Sequence, residues 1–187
     1  MKEVNHTMKL TAATMLAMLL GGYLYSSSAN AAEVTDISKV NGGINLDDGV
    51  EIERAETVNG GIRLSRNVSV HGSLSTLNGG IQTSPGTIVD RRVSTVNGKI
   101  RLRDTRVGEN VQTSNGDIFL TDGSVVEGDI IVESRGSWFG KFFGFGKQPA
   151  KIFIDADSSV MGDIHLYREV TLDIADGVVA GEVIEHF

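Results

Sequence analysis

Asp117, Asp129 and Asp163 each stand between a glycine and an isoleucine. Carboxylates gathered on one face would suit acid–base work on a glycan, which needs two or three acids converging on the scissile bond. If the segments carrying them stack in register, the three aspartates form a partial acidic ladder. The competing reading makes each one simply a solvated turn residue. That reading is adopted, so no catalytic residue is assigned and the chain is expected not to be an enzyme. His6, His71, His165 and His186 are scattered without metal-ligand spacing. There is no Cys, which excludes disulfides, thiolate metal sites and thiol nucleophiles. No Gly-x-Ser-x-Gly elbow and no phosphate-cradling glycine loop occurs. No metal and no cofactor is implied.

A second cluster has a different chemistry. Residues 135–148 read Arg-Gly-Ser-Trp-Phe-Gly-Lys-Phe-Phe-Gly-Phe-Gly-Lys-Gln and hold the single Trp of the chain and four of its seven Phe. Three cations, Arg135, Lys141 and Lys147, are interrupted by no acid. Trp138, Phe139, Lys141, Phe142, Phe143, Phe145 and Lys147 are the candidate partner-binding residues. Three uses fit such a segment. It covers an exposed edge of the fold, it presents aromatic and cationic groups to a protein or glycan, or it touches a membrane, with aromatics at the interface and Lys against anionic lipid.

The elements that would carry these groups are set by a repeat. Val40-Asn41-Gly42-Gly43-Ile44-Asn45-Leu46 returns as Val58-Asn59-Gly60-Gly61-Ile62-Arg63-Leu64, and again from Leu77, Val96 and Ser114. Looser copies surround Gly128, Gly162 and Gly181. The repeat glycines at 42, 60, 79, 98, 116, 128, 162 and 181 are spaced by 18, 19, 19, 18, 12, 34 and 19 residues. A period of 18–19 is too short for two packed helices and suits one coil of two or three short strands. Within each unit the pattern has period two: Ile44 and Leu46, Val50 and Ile52, Ile62 and Leu64, Val68 and Val70, Ile100 and Leu102 alternate with polar residues, as in strands with one buried face. Asn-Gly is expected to supply the turn, because both residues tolerate positive φ. A hairpin meander would not return the same turn in the same phase, whereas a stacked coil does.

The fold expected is therefore all-β, a single-stranded parallel β-solenoid (β-helix) of about seven coils, a rod about 35 Å long with strands ~4.8 Å apart. The six-residue beat of hexapeptide solenoids is not kept. The interval of 12 predicts either a shortened coil near residues 121–126 or a repeat phase moved to another face. The interval of 34 predicts a normal coil carrying an insertion of about 16 residues, the aromatic segment at 135–148.

With its Asn-Gly-Gly-Ile units, the chain resembles the bacterial adhesin-type β-solenoid families, among them the head-GIN type, over residues 34 to about 184. The resemblance implies an adhesin-like binding role and supplies no catalytic residues. A more distant likeness is to bactofilins, short solenoids that polymerise end to end, from which this chain departs by its export signal.

That signal is read at residues 1–31. Lys9 precedes an apolar stretch, Leu10 to Tyr25, and Ala29-Asn30-Ala31 ends it, the order of a secretory signal peptide cleaved before Ala32. An uncleaved anchor competes, but the stretch is short for a span of about 20 residues. Lipidation is excluded by the absence of Cys. Met8-Lys9-Leu10 is itself a conventional signal start, so Met8 competes with Met1 as the first residue. The domains expected are the signal peptide 1–31 and a solenoid 32–187, exported to the periplasm or cell surface. The chain has a formal net charge of −7, which argues against nucleic acid as a partner. An envelope protein, a glycan or a membrane surface is expected instead, together with self-association through the solenoid ends.

Overall fold

The inward positions of the period-two pattern are Ile, Leu or Val and the outward ones mostly polar, so each run forms a strand with one face to bury. The structure, a computed structural model, describes residues 34–134 and 149–187. Among the described residues it is all-β, three parallel sheets stacked as a solenoid of about seven turns. The first coil is β1 (Asp36–Asn41), β2 (Ile44–Leu46) and β3 (Glu51–Ile52). The second is β4 (Arg54–Asn59), β5 (Ile62–Leu64) and β6 (Ser69–Val70), and the third β7 (Leu74–Asn78), β8 (Ile81–Gln82) and β9 (Thr87–Val89). The fourth is β10 (Val93–Asn97), β11 (Ile100–Arg103) and β12 (Thr105–Val107), and the fifth β13 (Val111–Asn115), β14 (Ile118–Thr121) and β15 (Val125–Val126). The sixth is β16 (Ile130–Val132), β17 (Ala150–Ile154) and β18 (Ser159–Val160). β19 (Ile164–Leu166) and β20 (Val170–Ile174) make the seventh, and β21 (Val183–Glu185) opens an eighth. The opening strand of every coil joins one eight-stranded sheet, the middle strands a seven-stranded second sheet, and the closing strands a six-stranded third.

The core is built of columns in which like stacks on like. The repeat isoleucine gives Ile44, Ile62, Ile81, Ile100, Ile118 and Ile152 in unbroken register along the second sheet, all essentially without solvent exposure. Removing one, as in Ile100→Ala, should cost about 2–5 kcal/mol, since neighbours above and below hold the space open. Threonine makes an internal polar column. Thr57, Thr76 and Thr95 are buried and donate to the carbonyls of Gly42, Gly60 and Gly79 in the preceding coil, at 3.1, 2.8 and 2.8 Å. Thr113 continues the column, but its hydroxyl is buried without a hydrogen-bond partner among the described residues.

The three corners differ in chemistry. At the corner from first to second sheet stand the Asn-Gly pairs, and the structure corrects the reason for their glycine. Among the described residues only Gly42 there has a positive φ, +99°; the other left-handed residues follow the second-sheet strands, at Gly49, Asn67, Gly86, Asp104, Asp122, Gly123 and Gly177. The Asn-Gly corner needs glycine for close approach. A Cβ on Gly60, Gly79, Gly98 or Gly116 would overlap the carbonyl oxygen of the glycine one coil below. The corner from third back to first sheet holds Gly128, Gly162 and Gly181, so the interval of 12 is a change of corner and not a shortened coil.

Candidate functional site

The same change of corner separates the three aspartates, which do not share one position in the coil. Asp117 lies at the Asn-Gly corner, beside Lys99 at 2.8 Å, and accepts the Lys151 backbone N–H at 3.1 Å. Burial pushes its carboxyl up, but the Lys99 ammonium and the Lys151 N–H outweigh that and hold it below the ordinary carboxylate range. Asp129 and Asp163 lie at the opposite corner in a backbone-capping column. Asn110 accepts the Asp129 N–H at 2.8 Å, Asp129 that of Asp163 at 2.9 Å, and Asp163 that of Glu182 at 2.9 Å. Each side chain ties one coil to the next. The expected partial ladder is thus a pair, and one oxygen of each carboxylate is taken by a backbone amide of the next coil.

The candidate partner-binding residues Trp138, Phe139, Lys141, Phe142, Phe143, Phe145 and Lys147 lie outside the described residues. What the structure describes is their mount. The insertion leaves the chain between β16 and β17, at the Asn-Gly corner of the sixth coil. On one side of it β16 pairs with β13 through Val111↔Ile130, and on the other β17 pairs with β14 through Ile118↔Ile152. The step between stacked residues rises from 18 or 19 to 34, and the register of both sheets carries on. Where the sixth coil departs from the Asn-Gly corner, Arg168 of the seventh reaches back to the fifth, donating to the Ser114 carbonyl at 2.8 Å and to Asn115 Oδ1 at 3.0 Å.

Beside this mount the outer face of the second sheet carries an aromatic and cationic row that the sequence reading did not single out. The Phe119 and Phe153 rings stand 6.3 Å apart. Arg101 and Lys99 lie 5.4 and 5.9 Å from the Phe119 centroid, and Lys151 lies 5.5 Å from that of Phe153. Lys151 also pairs with Asp173 at 2.7 Å, and Arg103 with Asp122 at 2.9 Å. The signal available was Phe119 and Phe153 occupying outward positions where other coils have Asn45, Arg63 or Gln82.

Two histidine clusters also emerge from residues far apart in sequence. His71 lies between Asp90, 3.0 Å from Nδ1, and Glu51, 2.5 Å from Nε2, and bonds to Glu51 and then Asp90 raise its pKa. His186 stacks on Tyr167 at 4.2 Å and meets His165 at 3.2 Å. No family model matches this chain, and no curated protein or solved structure does either.

Proposed function

We propose that the protein is an exported, non-catalytic envelope-binding module of adhesin type, with a rigid solenoid mounting the segment 135–148 towards a partner protein, a glycan or a membrane surface. The observation that carries this reading is the unbroken register across the insertion. The sheets on both sides pair as if the extra residues were absent, so the core gains nothing that requires the insertion. Its Trp, four Phe and three cations are a composition suited to contact. The adhesin-type resemblance points the same way, and the apolar stretch Leu10 to Tyr25 followed by Ala29-Asn30-Ala31 supports export.

The test is binding of the protein to membrane vesicles and to an acidic cell-wall glycan, which would meet the cations Arg135, Lys141 and Lys147, with and without residues 136–147. Loss of binding on deletion, with the unfolding temperature unchanged, is the expected result. Unchanged binding, or a deletion that only exposes apolar surface and lowers stability, would make the segment a cover for the solenoid and refute the reading.

A bactofilin-like scaffold is the second reading, favoured by the seventh coil. Leu172 continues the Ile152 column but is 37% exposed, and β20 has no further strand beside it among the described residues. Unpaired edges of this kind template further pairing. A particle size that stays that of a monomer across a concentration series in light scattering would dispose of it.

A further inference from the structure

The outer face of the first sheet carries a feature that neither the insertion nor the core accounts for. Val40, Leu77 and Val96 point outward in one column, 47, 44 and 37% exposed, with Val58 between the first two. Beside them runs a ladder of exposed asparagines. Asn59 donates to Asn41 Oδ1 at 3.1 Å, Asn78 to Asn59 at 3.0 Å, Asn97 to Asn78 at 2.9 Å, and Asn115 to Asn97 at 3.0 Å. An amide has two N–H donors and two acceptor lone pairs. Asn59, Asn78 and Asn97 each spend one of each on the ladder, and all three residues are exposed. The flanking column contributes Ser75 and Ser94, which bond each other. Strand spacing sets the repeat, so identical groups recur every ~4.8 Å and alternate ones every ~9.6 Å.

Three properties select the occupant. The stripe is one side chain wide, whereas a stable protein interface buries about 800 Å² on each partner. Its valines, leucine and asparagines carry no charge, and the chain as a whole is at −7, which disfavours phosphate polymers and acidic glycans alike. Its donors, acceptors and apolar groups repeat along a line, so the ligand must repeat along a line too. We propose that this track binds a neutral β-1,4-linked N-acetylhexosamine strand lying along the stacking direction. In such a strand alternate units face the same way, and their two-unit repeat is close to two coils. The acetamido group matches both columns: its N–H and C=O meet the exposed asparagine amide, and its methyl covers the Val–Leu stripe. This goes beyond the contact proposed for the insertion, because it needs no residue of segment 135–148.

The probe is a series of N-acetylglucosamine β-1,4 oligomers of two to six units, titrated into the full chain and followed by calorimetry and by the NMR signals of the asparagine side-chain amides. The expected result is affinity rising about tenfold or more from the dimer to the hexamer, with the amides of Asn59, Asn78 and Asn97 shifting. Leu77→Lys with Val96→Lys should weaken hexamer binding about tenfold or more while leaving the unfolding temperature in place. Should that pair disturb folding, Leu77→Ser is the milder variant and should weaken binding about threefold. Deleting 136–147 should leave it unchanged, which separates this proposal from the role given to the insertion. Absence of binding at any length, shifts confined to other residues, or binding retained in a folded lysine variant would overturn it. So would lysine variants that alter only the sedimentation of the protein, since the stripe would then be a contact between copies.

Discussion

Single residues make their contributions through the coil below. Gly79 illustrates this: its φ is ordinary, and what it lacks room for is a Cβ against the Gly60 carbonyl. Gly79→Ala should cost about 3 kcal/mol, an overpacking penalty. Gly49→Ala has open space around it and φ +73°, and should cost about 1 kcal/mol of backbone strain. Urea unfolding of the two variants ranks them, and the opposite order would return the Asn-Gly corner to a turn-conformation explanation. Thr113 and Thr95 make a second pair. Thr95→Val leaves the Gly79 carbonyl without its donor and should cost about 1 kcal/mol, while Thr113→Val removes an unpartnered hydroxyl and should be neutral or stabilising. At His71 the folded-state pKa lies above its ordinary value, so the clasp with Glu51 and Asp90 contributes fully below about pH 6.5. That contribution is lost as pH rises through the raised value. The difference in urea midpoint between the protein and His71→Gln should therefore shrink with rising pH, and a difference that grew would refute the clasp.

At the scale of the coil, the repeat frame made strands, period and core faces legible. The inward residues Ile44, Leu46, Ile62, Leu64, Ile100 and Leu102 are the buried columns. The corners were less legible, because a Gly-Asp-Ile frame occurs at two of them. Asp117 and Asp129 look equivalent in sequence, yet one precedes a second-sheet strand and the other a first-sheet strand. Only the stacking partner distinguishes them, and that partner lies 18 or more residues away. The insertion was legible as an interruption of period. Its removal tests the independence of the two flanking pairings: a chain lacking 136–147 should unfold in one cooperative step with the slope in urea unchanged. A split transition would show that the segment couples the sixth coil to its neighbours.

For the molecule as a whole, the number of coils followed from the repeat period, but the outward faces did not. Position and type of every outward residue are in the sequence, while their grouping into an asparagine row, a Val–Leu stripe and a Phe–cation row depends on how many residues each corner takes. A slip of one residue in a corner would turn a column inside out. The asparagine row also has a direction, and one residue at its end sets it. A guanidinium can only donate, so Arg168 requires the oxygen of Asn115 to face it. The Asn115 nitrogen must then face the oxygen of Asn97, and the same choice passes down to Asn41. Five amide dipoles are thereby aligned head to tail, with their negative end under a fixed positive charge. The surface strip is electrically polar along its length, as a helix is along its axis, and any chain molecule laid on it meets two distinguishable ends.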